Sequence, residues 1–256
     1  MSNIKYGESN IERGIAGQIA TTEATNIKSL GATGDIYFGK AVATSKTHAG
    51  DFGKNFYRSK AVITFSADFT ASTTVDLKVN GTAIATVTTV GTAATDMTAI
   101  VNAISTLTGI TATYTGNDVT VTVDNALDNC IISDITLTGG TPPTSTVTYS
   151  TEDTFEGIAK FTHKVQSERA GNGEDFYEDK TMIGIVTKGV IWVEVTADVT
   201  YGEAVYVNTD FAGSQGSFTS LSTNNLLVAG ARFRDTVTGG TLTTPKLAKI
   251  EINQPN

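Results

Sequence analysis

The chain of 256 residues is poor in the groups on which most enzymes and metal sites depend. It has one cysteine, Cys130, and two histidines, His48 and His163. A single thiol forms no intramolecular disulfide, and so small a supply of cysteine and histidine leaves almost nothing for a zinc site or for thiol catalysis. Ile131 and Ile132 beside Cys130 predict a buried, inert thiol. His48 stands in a polar loop and His163 in a strand-like stretch, and both read as ordinary exposed histidines. No cofactor and no metal are expected, and the chain does not read as an enzyme.

Positive charge is also short. Eighteen Lys and Arg against 26 Asp and Glu leave a net charge of −8. With no basic patch the chain lacks the footprint that a phosphate backbone demands, so no nucleic acid is expected as a partner. Long hydrophobic runs are missing as well. Nothing approaches the roughly 18 apolar residues of a membrane span, and the first 20 residues contain no uninterrupted apolar segment of the secretory kind. A soluble chain without a membrane partner is the expectation. Proline is scarce, at 4, while glycine reaches 25, a balance that suits strands joined by tight turns.

What the chain does have is strand pattern. In residues 179–210, Ile183, Ile185, Val190, Trp192, Val193 and Val195 flank Thr187, Lys188 and Gly189, which read as a turn-like break between two strands, and the alternation beyond the break argues a half-buried strand. Trp192 lies between Ile191 and Val193 and reads as a core residue, or as an interface anchor if it faces outward. The fold class predicted is mainly β: a small antiparallel barrel or sandwich core with an extended N-terminal arm and an inserted α+β domain.

The arm is residues 1–30, where Ile4, Ile11, Ile15, Ile19, Ile27 and Leu30 are spaced too widely for a core strand. Such an arm gains order by docking. The β core takes residues 31–59 and 151–256, beginning with a strand over residues 35–42. Residues 60–150 differ in composition: Lys60 and Lys78 face Asp68, Asp76, Asp96, Asp118, Asp124, Asp128 and Asp134, and threonine is abundant. Here a strand over 74–79, the hairpin signal Asn80-Gly81 and a strand over 84–90 follow one another. Met97, Ile100, Val101, Ile104 and Leu107 then form one apolar stripe, which predicts a helix over 94–107 with Thr95 or Asp96 as N-cap and Gly109 as stop. These residues read as a separate domain inserted into a loop of the core.

Two further clusters carry no chemistry. Glu174, Asp175, Glu178 and Asp179 follow glycines but lack the spacing of a calcium loop, and read as a solvated turn. Gly139-Gly140 and Gly239-Gly240 precede no helix and read as turns. Tyr57, Tyr114, Tyr149 and Tyr177 look exposed but scattered, which weighs against an aromatic sugar platform.

The order of short motifs resembles a known family. Gly14-Ile15-Ala16-Gly17 is followed by DIYFGKAV at 35–42, FEGIAKFTHKV at 155–165, DKTMIGIVTKGVIWVEV at 179–195, YGEAVYVNTD at 201–210, AGARFRDTV at 229–237 and a closing strand over 247–252. This succession is similar to the cement, or head-decoration, proteins of tailed bacteriophages. Residues 60–150 depart from that pattern and resemble the small strand-rich modules embedded in phage tail and sheath proteins. The resemblance implies a homotrimer made in the host cytoplasm that binds the major capsid protein on the outer surface of the virion and stabilises the head. It makes Ile4, Tyr6, Ile11, Arg13, Ile15 and Ile19 of the arm the candidate capsid contacts. A tail or fibre component and a carbohydrate-binding β module are the alternatives.

Overall fold

The computed structural model describes residues 15–21, 24–44, 52–125, 128–151, 153–161, 176–209 and 215–254. The chain is mainly β, with about half of its residues in strands, and it contains a closed five-stranded barrel. It forms two compact units, Met1–Phe56 with Thr154–Asn256, and Tyr57–Asp153. The first unit starts with β1 (Asn26–Thr33), β2 (Ile36–Tyr37), β3 (Ala41–Thr44) and β4 (Phe52–Lys54). The second runs through β5 (Lys60–Phe65), β6 (Thr74–Val79), β7 (Thr82–Ala83), β8 (Val87–Thr88), α1 (Ala93–Ser105), β9 (Ile110–Thr115), β10 (Asp118–Val123), β11 (Ile132–Thr138) and β12 (Ser145–Ser150). The chain then returns to the first unit as β13 (Thr154–Ala159), β14 (Phe176–Tyr177), β15 (Met182–Val195), β16 (Ala204–Val207), β17 (Phe218–Thr219), β18 (Leu226–Phe233) and β19 (Lys246–Asn253).

The break expected at Thr187-Lys188-Gly189 is absent: β15 is one strand of 14 residues. Gly189 adopts φ +131°, so the backbone changes direction without leaving the ladder. Lys188 pairs with Asn26 on one edge and with Asn253 on the other. Before it, β15 pairs with β1 and β13. Beyond it, β15 pairs with β19 and, at Val195, with β17. The strands β15, β17, β16, β18 and β19 return on themselves as the barrel. The strands β1, β4, β3, β13 and β15 close a second ring on the first half of the same strand.

Each ring has its own core. Leu30, Ala32, Val42, Ala159, Ile183 and Ile185 pack together in the smaller ring. Ile191, Val193, Val195, Val205, Val207, Phe218, Phe233, Ile250 and Ile252 pack in the barrel. Alternate residues of β3, β13 and β15, namely Ala41, Ala43, Ile158 and Val186, join the barrel's core with Phe56. β3 is therefore buried on both faces over Ala41, Val42 and Ala43, and β13 over Gly157, Ile158 and Ala159.

The strand expected over 35–42 is split into β2 and β3 by a turn at Gly39, where φ is +73°. A Cβ there would stand 2.7 Å from the Gly17 nitrogen, and one on Gly17 would stand 2.7 Å from the Ala159 oxygen. The two glycines let three backbone segments meet, a requirement that overrides the local strand propensity. The arm also departs from expectation. Residues 26–30 belong to β1, and Ile19 forms an antiparallel bridge with Ile191. The reason is the free edge of β15, whose backbone groups need partners. The Gly17 and Ala20 N–H groups donate to the Trp192 and Val190 carbonyls at 2.8 Å, and the Trp192 N–H donates to Gln18 at 2.9 Å.

In the second unit a four-stranded sheet, ordered β12-β5-β10-β9, packs with β11, β6, β7, β8 and α1 around Ile63, Phe65, Val75, Leu77, Met97, Ile100, Ile104, Val119 and Val121. Asn80 and Gly81, both at positive φ, make the expected hairpin turn, but the strand beyond it is only the two short pieces β7 and β8. The helix is capped differently from expectation. Thr92 is the N-cap without a side-chain bond, and the buried Asp96 carboxylate accepts from the Val90, Gly91 and Thr92 N–H groups at 2.7, 3.1 and 3.0 Å. A carboxylate one turn inside the helix thus folds the preceding loop over the positive helix end.

The outer face of the four-stranded sheet is a lattice in three rows, made mostly of threonine with Val62 and Lys60 among them. The rows across β12, β5, β10 and β9 are Thr146-Thr64-Asp118-Thr115, Thr148-Val62-Thr120-Thr113 and Ser150-Lys60-Thr122-Thr111. The last of these rows also brings the first and last strands of the unit together, since Lys60 pairs with Ser150.

Gly53 on β4 points into the smaller ring, where a Cβ would lie 2.7 Å from Val42 Cγ1 and 2.9 Å from Ile183 Cδ1. Gly53→Ala is expected to cost about 1–3 kcal/mol through overpacking, read as a lower denaturant midpoint. An unchanged midpoint would show that the ring interior has slack.

Candidate functional site

The inward direction of Gly53 fixes the outward direction of Phe52, and the buried Ile183 and Leu30 do the same for Met182 and Gly31. Gly31 pairs with Phe52 on one side and with Met182 on the other. The three positions thus form one row across β4, β1 and β15 on the outer face of the smaller ring. Gly31 has no side chain, so two large apolar groups, 58% and 67% exposed, stand about 10 Å apart over bare backbone. Further along β1, Ser29 pairs with Gly184, and a Cβ on Gly184 would lie 3.7 Å from Ile27 Cγ2. Ile27 is 48% exposed. Ile27, Phe52 and Met182 therefore flank a shallow, largely apolar strip floored by Gly31 and Gly184 and interrupted by the exposed Ser29 between Ile27 and Gly31.

Scattered exposed apolar residues are ordinary, but several in register on adjacent strands make this face the candidate contact surface of the first unit. The strip eluded sequence reading because it joins residues far apart in the chain, and because alternation alone does not say which face is covered. The only signal was a single glycine beside the buried positions of each strand, Gly31 in β1 and Gly184 in β15.

Ile4, Tyr6, Ile11 and Arg13 lie outside the described residues. Ile15 is 50% exposed, whereas Ile19 packs against the barrel's core. Trp192 is half-buried on the outer face of the barrel rather than in its core, with Lys249 Nζ 4.7 Å from the ring centre. Alternation explains this, since Ile191 and Val193 occupy the inward positions.

Among the described residues no group of three His, Cys, Asp or Glu side chains could hold a metal ion. The described part of the acidic cluster is a turn: Asp179 accepts from the Gly34 N–H at 2.8 Å, and its own N–H donates to Asp35 at 3.2 Å. His48 and His163 lie outside the described residues. Tyr177 is buried, not exposed, and its hydroxyl donates to the Lys160 carbonyl at 2.8 Å; burial raises its pKa. Lys40, also buried, donates to Glu194 at 2.7 Å and Ser217 at 2.6 Å, so its charge is neutralised within the fold. No helix among the described residues is long and apolar enough to cross a membrane.

Residues 135–253 match the family model described as structural cement protein (E217 gp24/Pam3 gp6). The family read from the motif order is the family found. The match covers most of the second half of the chain, including β15 with Met182 and Gly184, and leaves out Ile27 and Phe52. No curated protein matches the chain.

Burial pushes the Cys130 thiol up to about 11 from its ordinary 9.0. The folded state therefore holds the neutral thiol, and the stability this contributes is present below pH 9 and lost as pH rises toward 11. The native chain at pH 8 is expected to leave an aromatic disulfide reagent unreacted, with full reaction in denaturant. Equal rates in both conditions would contradict the burial.

Proposed function

We propose that this chain, whose residues 135–253 match the model of the phage structural cement proteins, binds the outer surface of the capsid and strengthens the head by bridging neighbouring capsomers. The observation that carries this reading is the apolar strip over Ile27, Gly31, Phe52, Met182 and Gly184 on the first unit of an otherwise acidic chain. A shell filled with DNA is pushed outward, and a protein seated across a seam adds contact that must be broken before the capsomers part. The partner is the major capsid protein. Three copies around a local threefold axis multiply contacts that are weak singly. The role is structural, without catalysis. The arm up to residue 15 supplies the second contact, with Ile4, Tyr6, Ile11, Arg13 and Ile15 reaching a neighbouring subunit. Ile19 is removed from that set because it serves the barrel.

The test is sedimentation with expanded capsids at equal protein concentrations. The intact chain is expected to pellet with heads, and Phe52→Asp with Met182→Asp to lower occupancy. Loss of about 1.4 kcal/mol per site is a tenfold change in affinity. Removing residues 1–14 is expected to weaken binding while leaving the fold, because the ladder to β15 starts at Gly17. Unchanged occupancy in both variants, or binding to tails and not heads, would overturn the assignment.

The second unit is proposed to be an inserted domain that folds alone, since its first and last strands are neighbours and its core is its own. Joining Phe56 to Thr154 by a short glycine linker is expected to leave a folded first unit that still pellets with capsids. An unfolded product would show that the two units share stability.

A further inference from the structure

We infer that Met182 is a reversible oxidation site of the free chain, and that its sulfoxide turns the apolar strip of the first unit polar and weakens its seating. The chain has three methionines and one cysteine. Met1 lies outside the described residues. Met97 is 2% exposed and Cys130 0%, both in the core of the second unit, whereas Met182 is 67% exposed. The cause is local. Along β15 the next position on the same face is Gly184, and across on β1 the position opposite Met182 is Gly31. A glycine at both leaves the thioether without a side-chain neighbour there, and the diagonal position holds only the small Ser29. Met182 belongs to neither core of the first unit. It is open to small solutes and dispensable to the packing.

The oxidant is a peroxide. A sulfur lone pair attacks one peroxide oxygen, the S–O bond forms as the O–O bond breaks, and the departing hydroxide takes the proton of the transferred oxygen and leaves as water. Sulfur is oxidised by two electrons and the peroxide is reduced by two. The product is polar, and its new oxygen accepts hydrogen bonds without donating any. Exposed to water, that oxygen is solvated at no cost to the fold. Pressed against a protein surface it loses water, and Phe52, beyond Gly31 on the same row, has no donor to offer in return. The chemistry is thus open while the strip is bare and closed once a partner covers the sulfur. The effect on seating rests on the reading of the strip as the capsid contact, whereas the oxidation site itself does not.

The experiment treats the full chain with dilute hydrogen peroxide, quenches it and maps the methionines by peptide mass. Met182 is expected to gain one oxygen while Met97 stays reduced, with the denaturant midpoint unchanged. On a hydrophobic-interaction column the oxidised chain is expected to elute earlier, and a methionine sulfoxide reductase with a thiol reductant is expected to restore the retention. Met182→Leu, whatever its own retention, is expected not to shift with peroxide. Oxidised and untreated chains are then sedimented with untreated capsids, and the oxidised form is expected to bind about tenfold more weakly. Oxidation of Met97 before Met182, retention that stays the same once Met182 carries oxygen, or an equal shift in Met182→Leu would each overturn the inference. So would a fall in the midpoint, which would assign the changed retention to unfolding, and so would equal occupancy of capsids by the two forms. An untreated chain that does not pellet with capsids would overturn the capsid reading and the effect on seating with it, while the peptide map and the retention still decide the oxidation site.

Discussion

The ladder along both edges of β15 is the constraint from which the first unit is built. A strand of 14 residues has more backbone groups than one small barrel can pair. The surplus is met by two rings that share the strand, one on each side of Gly189. Buried N–H and C=O groups left unpaired cost more than any single apolar contact returns, so the partners are fixed by need: β13 and then β19 on one edge, β1 and residues 17–20 on the other. The glycines of the first unit follow from this. Gly17 and Gly39 stand where backbones cross, Gly53 where the smaller ring has no room, and Gly189 where the shared strand turns from one core to the next.

The buried Lys40 belongs to the same constraint. It sits in the turn between β2 and β3, in the smaller ring's part of the chain, and its ammonium reaches Glu194 near the barrel end of β15 and Ser217 beside β17. A charge taken out of water is tolerated only with its partners in place. This triad therefore selects one relative placement of the two rings, whatever its net contribution to stability.

The strands were legible because alternation and glycine punctuation are local, and the fold class followed from them. The composition shift near Lys60 and Ser150 was legible for the same reason. What was not legible was pairing. Trp192 reads as core from its neighbours, yet only the direction of Ile191 and Val193 decides its face. Asp96 reads as an N-cap by type, yet it sits a turn inside the helix because three loop N–H groups converge on it. Ile19 reads as part of a free arm because its partner, Ile191, is 172 positions away. The apolar strip is the strongest case. Phe52 and Met182 become neighbours only through Gly31, and no window of sequence contains all three.

The two outward faces differ in what they ask of a partner. The strip on the first unit exposes large apolar groups over glycine, which favours a shaped protein surface that can fill the gap between Phe52 and Met182 and exclude water there. The lattice on the second unit exposes threonines with no gap to fill, which suits a face turned to solvent. The second unit makes no such demand on its position, since a domain whose first and last strands are adjacent can be carried in a loop without altering the ladder of β15.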